Sequence, residues 1–356
     1  MVMTTRHRDR SVVLAALLGL STPACYDEGA APSSTGGDDP LFGGSGGGGG
    51  EGGQPGEPTD AATAIGAPTD TAEQTALERA CDGFARATCA KLASCAPGLH
   101  AHAYGLGAAG VARCEERSRL QCTYSGSLAD TFWTPTLIKA CGDSLAALAC
   151  SRYFLDDQPA CRGYGRRPDG ATCASADQCQ GGRCTSPSAT TCGTCARESG
   201  PGGPCDKDAD CKQTPTTAVC TSAKVCRPVG APGMPCAEDQ PCNALSYCAP
   251  SGRCLPRKGA GATCADAEEC DVTRGVTCNK RLGTCVRFTI GSRCVANPDG
   301  TYQYCGGSAF CQSSGECLPP AADGAACDDE NGPLCLWPAV CVEHVCRTPS
   351  VPACRS

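Results

Sequence analysis

A few short stretches of this chain carry side chains that bind metals or attack bonds at a workable spacing. Cys192-Gly-Thr-Cys195 is the single Cys-x-x-Cys pair. A redox role needs a thiol of depressed pKa, usually at a helix N-terminus in a strand–helix–strand setting, and the neighbouring residues read as neither. A zinc site needs a second pair at matching spacing, which the chain lacks. An ordinary disulfide is expected. His100-Ala-His102 would set two imidazoles on one side of an extended segment, in the loop expected after Pro97-Gly98-Leu99. Without carboxylates or free thiols nearby they make a poor metal site, so exposed loop histidines are expected. The other histidines are His7 and His344, which leaves almost no material for Ser-His-Asp or Cys-His catalysis. Asp206-Lys-Asp-Ala-Asp210 has the alternating carboxylates that open a calcium loop. Cys211, however, stands at the sixth position, where glycine is needed, and no Glu stands at the twelfth. Asp328-Asp-Glu-Asn-Gly332 fails the same comparison, and solvated turn carboxylates are expected in both. The run Gly46 to Gly50 lies in low-complexity sequence, not between a strand and a helix pattern, so it cradles no phosphate. These residues argue against an enzyme: no catalytic residue, cofactor or metal ligand is expected.

What the chain has in abundance is cysteine: 35 in 356 residues, against 2 Trp, 8 Tyr and 6 Phe. So few large apolar side chains cannot build the core of a long domain, and disulfides must supply the missing stability, roughly 2–4 kcal/mol each. Such bonds persist in an oxidising compartment. The N-terminus agrees. Arg6, His7, Arg8 and Arg10 form a basic segment, and Val12 to Leu20 an apolar run too short to span a bilayer. Ser21-Thr22-Pro23-Ala24 then lead to Cys25 in the manner of an export signal. Cys25 is the candidate lipidation site, in a lipobox where Thr22 takes the place usual for Leu. Cleavage near Ala24 to a soluble secreted form, and an intermolecular disulfide, are the alternatives. Parity favours lipidation. An odd cysteine in an exported protein needs a use, and Cys25, 56 residues ahead of the next, is the natural one left over. The other 34 allow up to 17 disulfides.

Those cysteines need elements to position them. The chain reads as a signal over 1–24, Cys25 with a linker over 25–72, a helical cysteine-containing domain over 73–165, and a module array over 166–356. The linker is Gly, Pro, Ser, Thr and acids; it cannot offset its ordering entropy by burial and is expected to be disordered. The net charge is −7, yet 26–76 hold nine acidic and no basic residues, while from 77 onward 27 acidic residues face 27 basic ones. The acidity belongs to the linker, and no basic face for nucleic acid is implied. In the helical domain Leu77, Cys81, Phe84, Thr88, Leu92 and Cys95 recur at steps of three and four. Thr71 with Gln74 reads as a capping box, and Pro97-Gly98 as the stop. A weaker pattern covers 108–122, and a third helix starts at Thr134-Pro135 and runs through Leu137, Ile138, Cys141, Leu145 and Leu148. Cys81, Cys89, Cys95, Cys114, Cys122, Cys141, Cys150 and Cys161 form an even set, enough for four disulfides.

From 166 the chain repeats. The four-cysteine unit is clearest in Cys205, Cys211, Cys220, Cys226, then Cys236, Cys242, Cys248, Cys254, then Cys264, Cys270, Cys278, Cys285. Looser copies follow at Cys294, Cys305, Cys311, Cys317 and at Cys327, Cys335, Cys341, Cys346. An irregular copy, Cys173, Cys179, Cys184, Cys192 and Cys195, opens the array, and Cys354 brings this region to 26 cysteines, again even. Gly170, Gly202, Gly233, Gly261, Gly291 and Gly324 each stand three residues before a first cysteine, marking a turn at positive φ. One mostly apolar residue precedes each third cysteine (Val219, Tyr247, Thr277, Phe310, Val340), too little for a core, so two internal bridges must hold each unit. Pro250-Ser-Gly252 and Ser313-Ser-Gly315 read as turns of short β-hairpins. The expected fold is therefore an elongated array of small disulfide-rich repeats, hairpins and loops touching mainly their neighbours, behind a small disulfide-linked α-helical domain.

The unit, Gly-x-x-Cys-x5-Cys with two later cysteines and often a following proline (Pro228, Pro256, Pro319, Pro349), resembles the Dickkopf N-terminal cysteine-rich and EB-type modules. The whole layout resembles cysteine-rich lipoproteins of myxobacteria. The resemblance implies extracellular protein binding and names no ligand. The ten-residue gap from Cys294 to Cys305 and the five-cysteine opening copy depart from the pattern and leave their bridges open. The function expected is binding or adhesion at a bacterial outer membrane or cell surface. The partner would be an extracellular or envelope protein or glycan, with the lipid holding the membrane. A purely structural envelope component and a disulfide-rich protease inhibitor are the alternatives.

Overall fold

Helix α1 (Thr71–Cys95) buries Leu77, Cys81, Phe84, Ala85, Thr88, Cys89 and Leu92, the face read from the steps of three and four. The structure is a computed structural model that describes residues 71–155, 158–185, 192–211, 218–237, 240–295, 302–329 and 331–348. The signal segment, Cys25, the linker up to residue 70 and Cys354 lie outside the described residues. Pro97 both ends α1 and opens α2 (Pro97–Tyr104), since its ring forbids a continuing helix but suits a first turn. Helices α3 (Gly107–Ser127), α4 (Pro135–Leu145) and α5 (Cys150–Phe154) follow. Thr134 caps α4 as expected, accepting the Leu137 N–H at 3.3 Å. At the start of α1, Gln74 donates to Glu78 at 3.0 Å, and the Thr75 hydroxyl donates to the Thr71 carbonyl at 2.6 Å.

Four disulfides staple these helices. Cys81–Cys122 and Cys89–Cys114 join α1 to α3. Each helix spaces its cysteines by eight residues and the pairs run in opposite order, so the helices lie antiparallel. Cys95–Cys150 and Cys141–Cys161 tie α5 to α1 and α4 to the turn that follows α5. Ile138, Leu145, Tyr153 and Phe154 complete the buried cluster around Leu77, Phe84 and Leu92.

Every module uses one pairing rule, first cysteine to third and second to fourth. It holds in the regular copies from Cys205–Cys220 and Cys211–Cys226 through Cys236–Cys248, Cys242–Cys254, Cys264–Cys278 and Cys270–Cys285. It holds equally in the looser ones, Cys294–Cys311, Cys305–Cys317, Cys327–Cys341 and Cys335–Cys346. The opening copy pairs Cys173–Cys184 and Cys179–Cys195, setting Cys192 aside as its extra member. Third and fourth cysteines face each other on antiparallel strands: β4 (Ala218–Cys220) with β5 (Cys226–Pro228), β6 (Ser246–Cys248) with β7 (Cys254–Pro256). The same holds for β11 (Phe310–Cys311) with β12 (Cys317–Leu318), and β13 (Val340–Val342) with β14 (Val345–Arg347). The opening module makes a three-stranded sheet from β1 (Thr172–Cys173), β2 (Gly182–Thr185) and β3 (Gly193–Arg197). Gly252 and Gly315 turn two of the hairpins at φ 71° and 79°.

The module core is its own sulfur: Cys205, Cys211 and Cys226 cluster with Ala218, and Cys264, Cys270, Cys278 and Cys285 with Val276. A further buried side chain lies two positions before the third cysteine. Ala218, Ser246, Val276 and Ala339 occupy this slot and are buried. Of the residues one position before the third cysteine, on the alternate face, Tyr247 and Thr277 are buried, while Val219, Phe310 and Val340 are half-buried.

Five of the six repeat glycines have φ between 79° and 91°, each donating its N–H to the carbonyl of the last module cysteine: Gly170 to Cys195, Gly202 to Cys226, Gly233 to Cys254, Gly261 to Cys285 and Gly324 to Cys346. Gly291 is the exception. It ends β9 (Thr284–Gly291), an eight-residue strand pairing β8 (Val276–Asn279) on one edge and β10 (Tyr302–Cys305), in parallel, on the other. A Cβ there would lie 2.0 Å from the Gln303 side chain. The long first gap of the Cys294 copy therefore delivers β10, and the fourth and fifth modules share one sheet.

The modules touch the helical domain as well as their neighbours. Ala244, Leu245 and Val272 of the third and fourth modules pack on the helical core. The first, fifth and sixth modules also bond to the helical domain.

Candidate functional site

The residues that could do chemistry come apart in three dimensions. Every described cysteine is disulfide-bonded, Cys192 included. The two bridges of a module bring three sulfurs within 4.8 Å of one another, as in Cys205, Cys211 and Cys226, but these are bonded sulfurs without the thiolate charge a metal requires. Asp210 is not a solvated turn carboxylate. It is buried, accepts the Asp206 and Lys207 N–H groups at 2.7 and 3.1 Å, and pairs with Arg183 of the preceding module at 2.7 Å. Asp208 accepts the Cys220 N–H at 2.7 Å. Asp328 does serve a turn, taking the Asn331 N–H and side-chain amide at 3.1 Å each.

His100 and His102 are not exposed loop residues either. Both lie on α2, because the turn after Pro97 is helical. His100 is 6% exposed, its Nε2 has no hydrogen-bond partner among the described residues, and desolvation lowers its pKa from 6.5. His102 Nδ1 sits 2.7 Å from the Cys305 carbonyl, which makes Nδ1 the protonated nitrogen.

What assembles instead is a docking surface for the modules. A helix C-terminus leaves carbonyls without intrahelical partners, and at the end of α2 the fifth module supplies them. Gly307 donates to the Ala101 carbonyl at 3.2 Å, Ser308 N–H to His102 at 2.8 Å, and the Ser308 hydroxyl to Ala103 at 2.8 Å. The close approach of α2 to the fourth module shows at Gly98, where a Cβ would lie 3.0 Å from both Gly275 Cα and the Phe288 ring. On α3, Arg117 reaches the sixth module with a guanidinium whose side chain is 5% exposed. It bonds both Asp323 oxygens at 2.7 and 3.0 Å and the Trp337 and Leu336 carbonyls at 2.7 and 2.6 Å. The first module is held just past α3: Gln178 donates to the Ala129 carbonyl at 2.7 Å, and Arg167 pairs with Asp130 at 3.2 Å.

The residue just before the second cysteine is a positioning element that the sequence reading passed over. Gln178, Asp210 and Glu269 each turn a carboxyl or amide oxygen onto the N–H groups one and two residues past the first cysteine. Glu269 also pairs with Lys258, and that ammonium holds its carboxyl below the usual range. The signal was present as Gln, Asp and Glu at one place in Cys-x5-Cys.

Exposed apolar side chains sit on the outside of the modules: Met234 beside the Gly233 turn, Leu255 on β7 and Leu282 in the turn between β8 and β9. No protein-family model, curated protein or solved structure matches the chain.

Proposed function

We propose that the chain is an exported, envelope-anchored binding protein, held to the membrane through a lipid on Cys25, that acts by recognition and catalyses nothing. The observation that carries this reading is the combination of disulfide-pinned hairpins with outward apolar side chains such as Met234, Leu255 and Leu282. Two bridges per module hold such side chains in place before a partner arrives, so little ordering entropy is lost on binding. The abundance of disulfides supports an oxidising compartment. No helix of the described residues is long and apolar enough to cross a membrane. The partner is an extracellular or envelope protein or glycan.

Two measurements test this. Intact mass of the mature protein should carry a diacylglyceryl increment on Cys25, and Cys25→Ala should move it from detergent to aqueous phase; an unmodified N-terminus removes the anchor. The mature chain should bind the envelope fraction saturably, and Met234→Asp with Leu255→Asp should abolish binding without freeing thiols. Equal binding by that variant would overturn the apolar recognition face.

A further inference from the structure

We infer that Cys192 is joined to Cys354 by a disulfide that closes the module array into a covalent ring. Cys192 is exposed and disulfide-bonded, yet it stands outside the pairing rule, because Cys173–Cys184 and Cys179–Cys195 already complete its module. The sixteen bonds among described residues use every other described cysteine once. Of the 35 cysteines in the chain, this leaves Cys25 and Cys354 as partners. Setting Cys25 aside rests on the anchor reading proposed above, since an acylated sulfur forms no disulfide.

The fold independently favours Cys354. The first module is held by Ala129 and Asp130, just past the end of α3, and the sixth by Arg117 on α3 itself. Ten residues of helix separate Arg117 from Ser127, about 15 Å at 1.5 Å per residue. Both ends of the array are thus brought to one helix. Cys354 follows the described Thr348 by six residues, which reach roughly 20 Å when extended. Forming the bond takes one electron and one proton from each thiol. A protein disulfide of the thiol–disulfide exchange class accepts both pairs and leaves as a dithiol. No other disulfide between described residues passes from one module to another, so this one alone would hold the array together covalently across a cut between modules.

Peptide mapping of the mature protein decides it. After alkylation without reduction, trypsin cleaving after Arg347 and Arg355 isolates Cys354 as the single cysteine of residues 348–355. The expected result is that peptide linked to the Cys192 fragment and released by reduction. The same link with an unacylated Cys25 leaves the ring standing and sinks the anchor. A Cys192–Cys25 link overturns both. Cys354 alkylated without reduction, or Cys192 bonded to a second chain, overturns the ring alone. Cys354→Ser should expose one new alkylatable thiol, at Cys192; a new thiol elsewhere, or none, overturns the assignment.

Discussion

At the scale of single residues, Arg117 and His100 carry what charge and burial can do in this chain. Arg117 places four of its five guanidinium donors on one carboxylate and two carbonyls in a site that water barely reaches. Removing one partner of such a buried pair typically costs about 3–5 kcal/mol. Because Asp323 is 39% exposed and can resolvate, Arg117→Ala is expected at the low end, about 3 kcal/mol, in non-reducing denaturation. Arg117→Lys should recover little, since an ammonium cannot reproduce the two-pronged contact. His100 sets a pH dependence. Its folded pKa lies below 6.5, so the unfolded chain takes the proton first as pH falls. The stability from neutral His100 is therefore whole above about 6.5 and is lost as pH drops through the lower folded value. Denaturation midpoints measured from about pH 8 down to pH 5 should fall in the wild type and less in His100→Phe; parallel curves would acquit His100.

At the scale of elements, the repeat glycines divide into two physical classes that look alike in sequence. Gly261 sits at φ 87°, where any L side chain is strained by about 1–2 kcal/mol. Gly291 is small because Gln303 of β10 lies against it. Gln303→Ala should therefore rescue Gly291→Ala and leave Gly261→Ala as destabilised as before, read from denaturation midpoints. Rescue of both would mean that the two glycines do one job. The helices were largely legible, because Leu77 to Leu92 keep one face and Thr134-Pro135 mark a start. The helical α2 was not, because eight residues offer too little periodicity to tell a turn of helix from a loop.

At the scale of the whole molecule, the modules lean on the helical domain instead of trailing from it. Arg117, the end of α2 and the core residues Ala244, Leu245 and Val272 make that contact. Loosening the sixth module with Arg117→Ala should raise the radius of gyration of the mature chain in solution scattering, and adding Ser308→Pro should raise it further. An unchanged radius in both variants would mean that module packing alone holds the array in place. Neither change alters a disulfide, so alkylation should detect no new thiol in either.

Cysteine number and spacing settled much by themselves: an even set of eight in the helices, two bridges per module, and a chain with too few aromatic side chains to give every module a core. They settle this because a covalent bond needs only counting and reach. Which sulfur meets which, first to third and second to fourth, was decided only when strands paired, since hairpin register brings third and fourth cysteines opposite one another. Tertiary structure alone decided the fates of His102, Arg117 and Asp210 as well. Each is a polar residue whose partner lies in another module or domain, up to 220 residues away, and neither spacing nor propensity reports a contact at that separation.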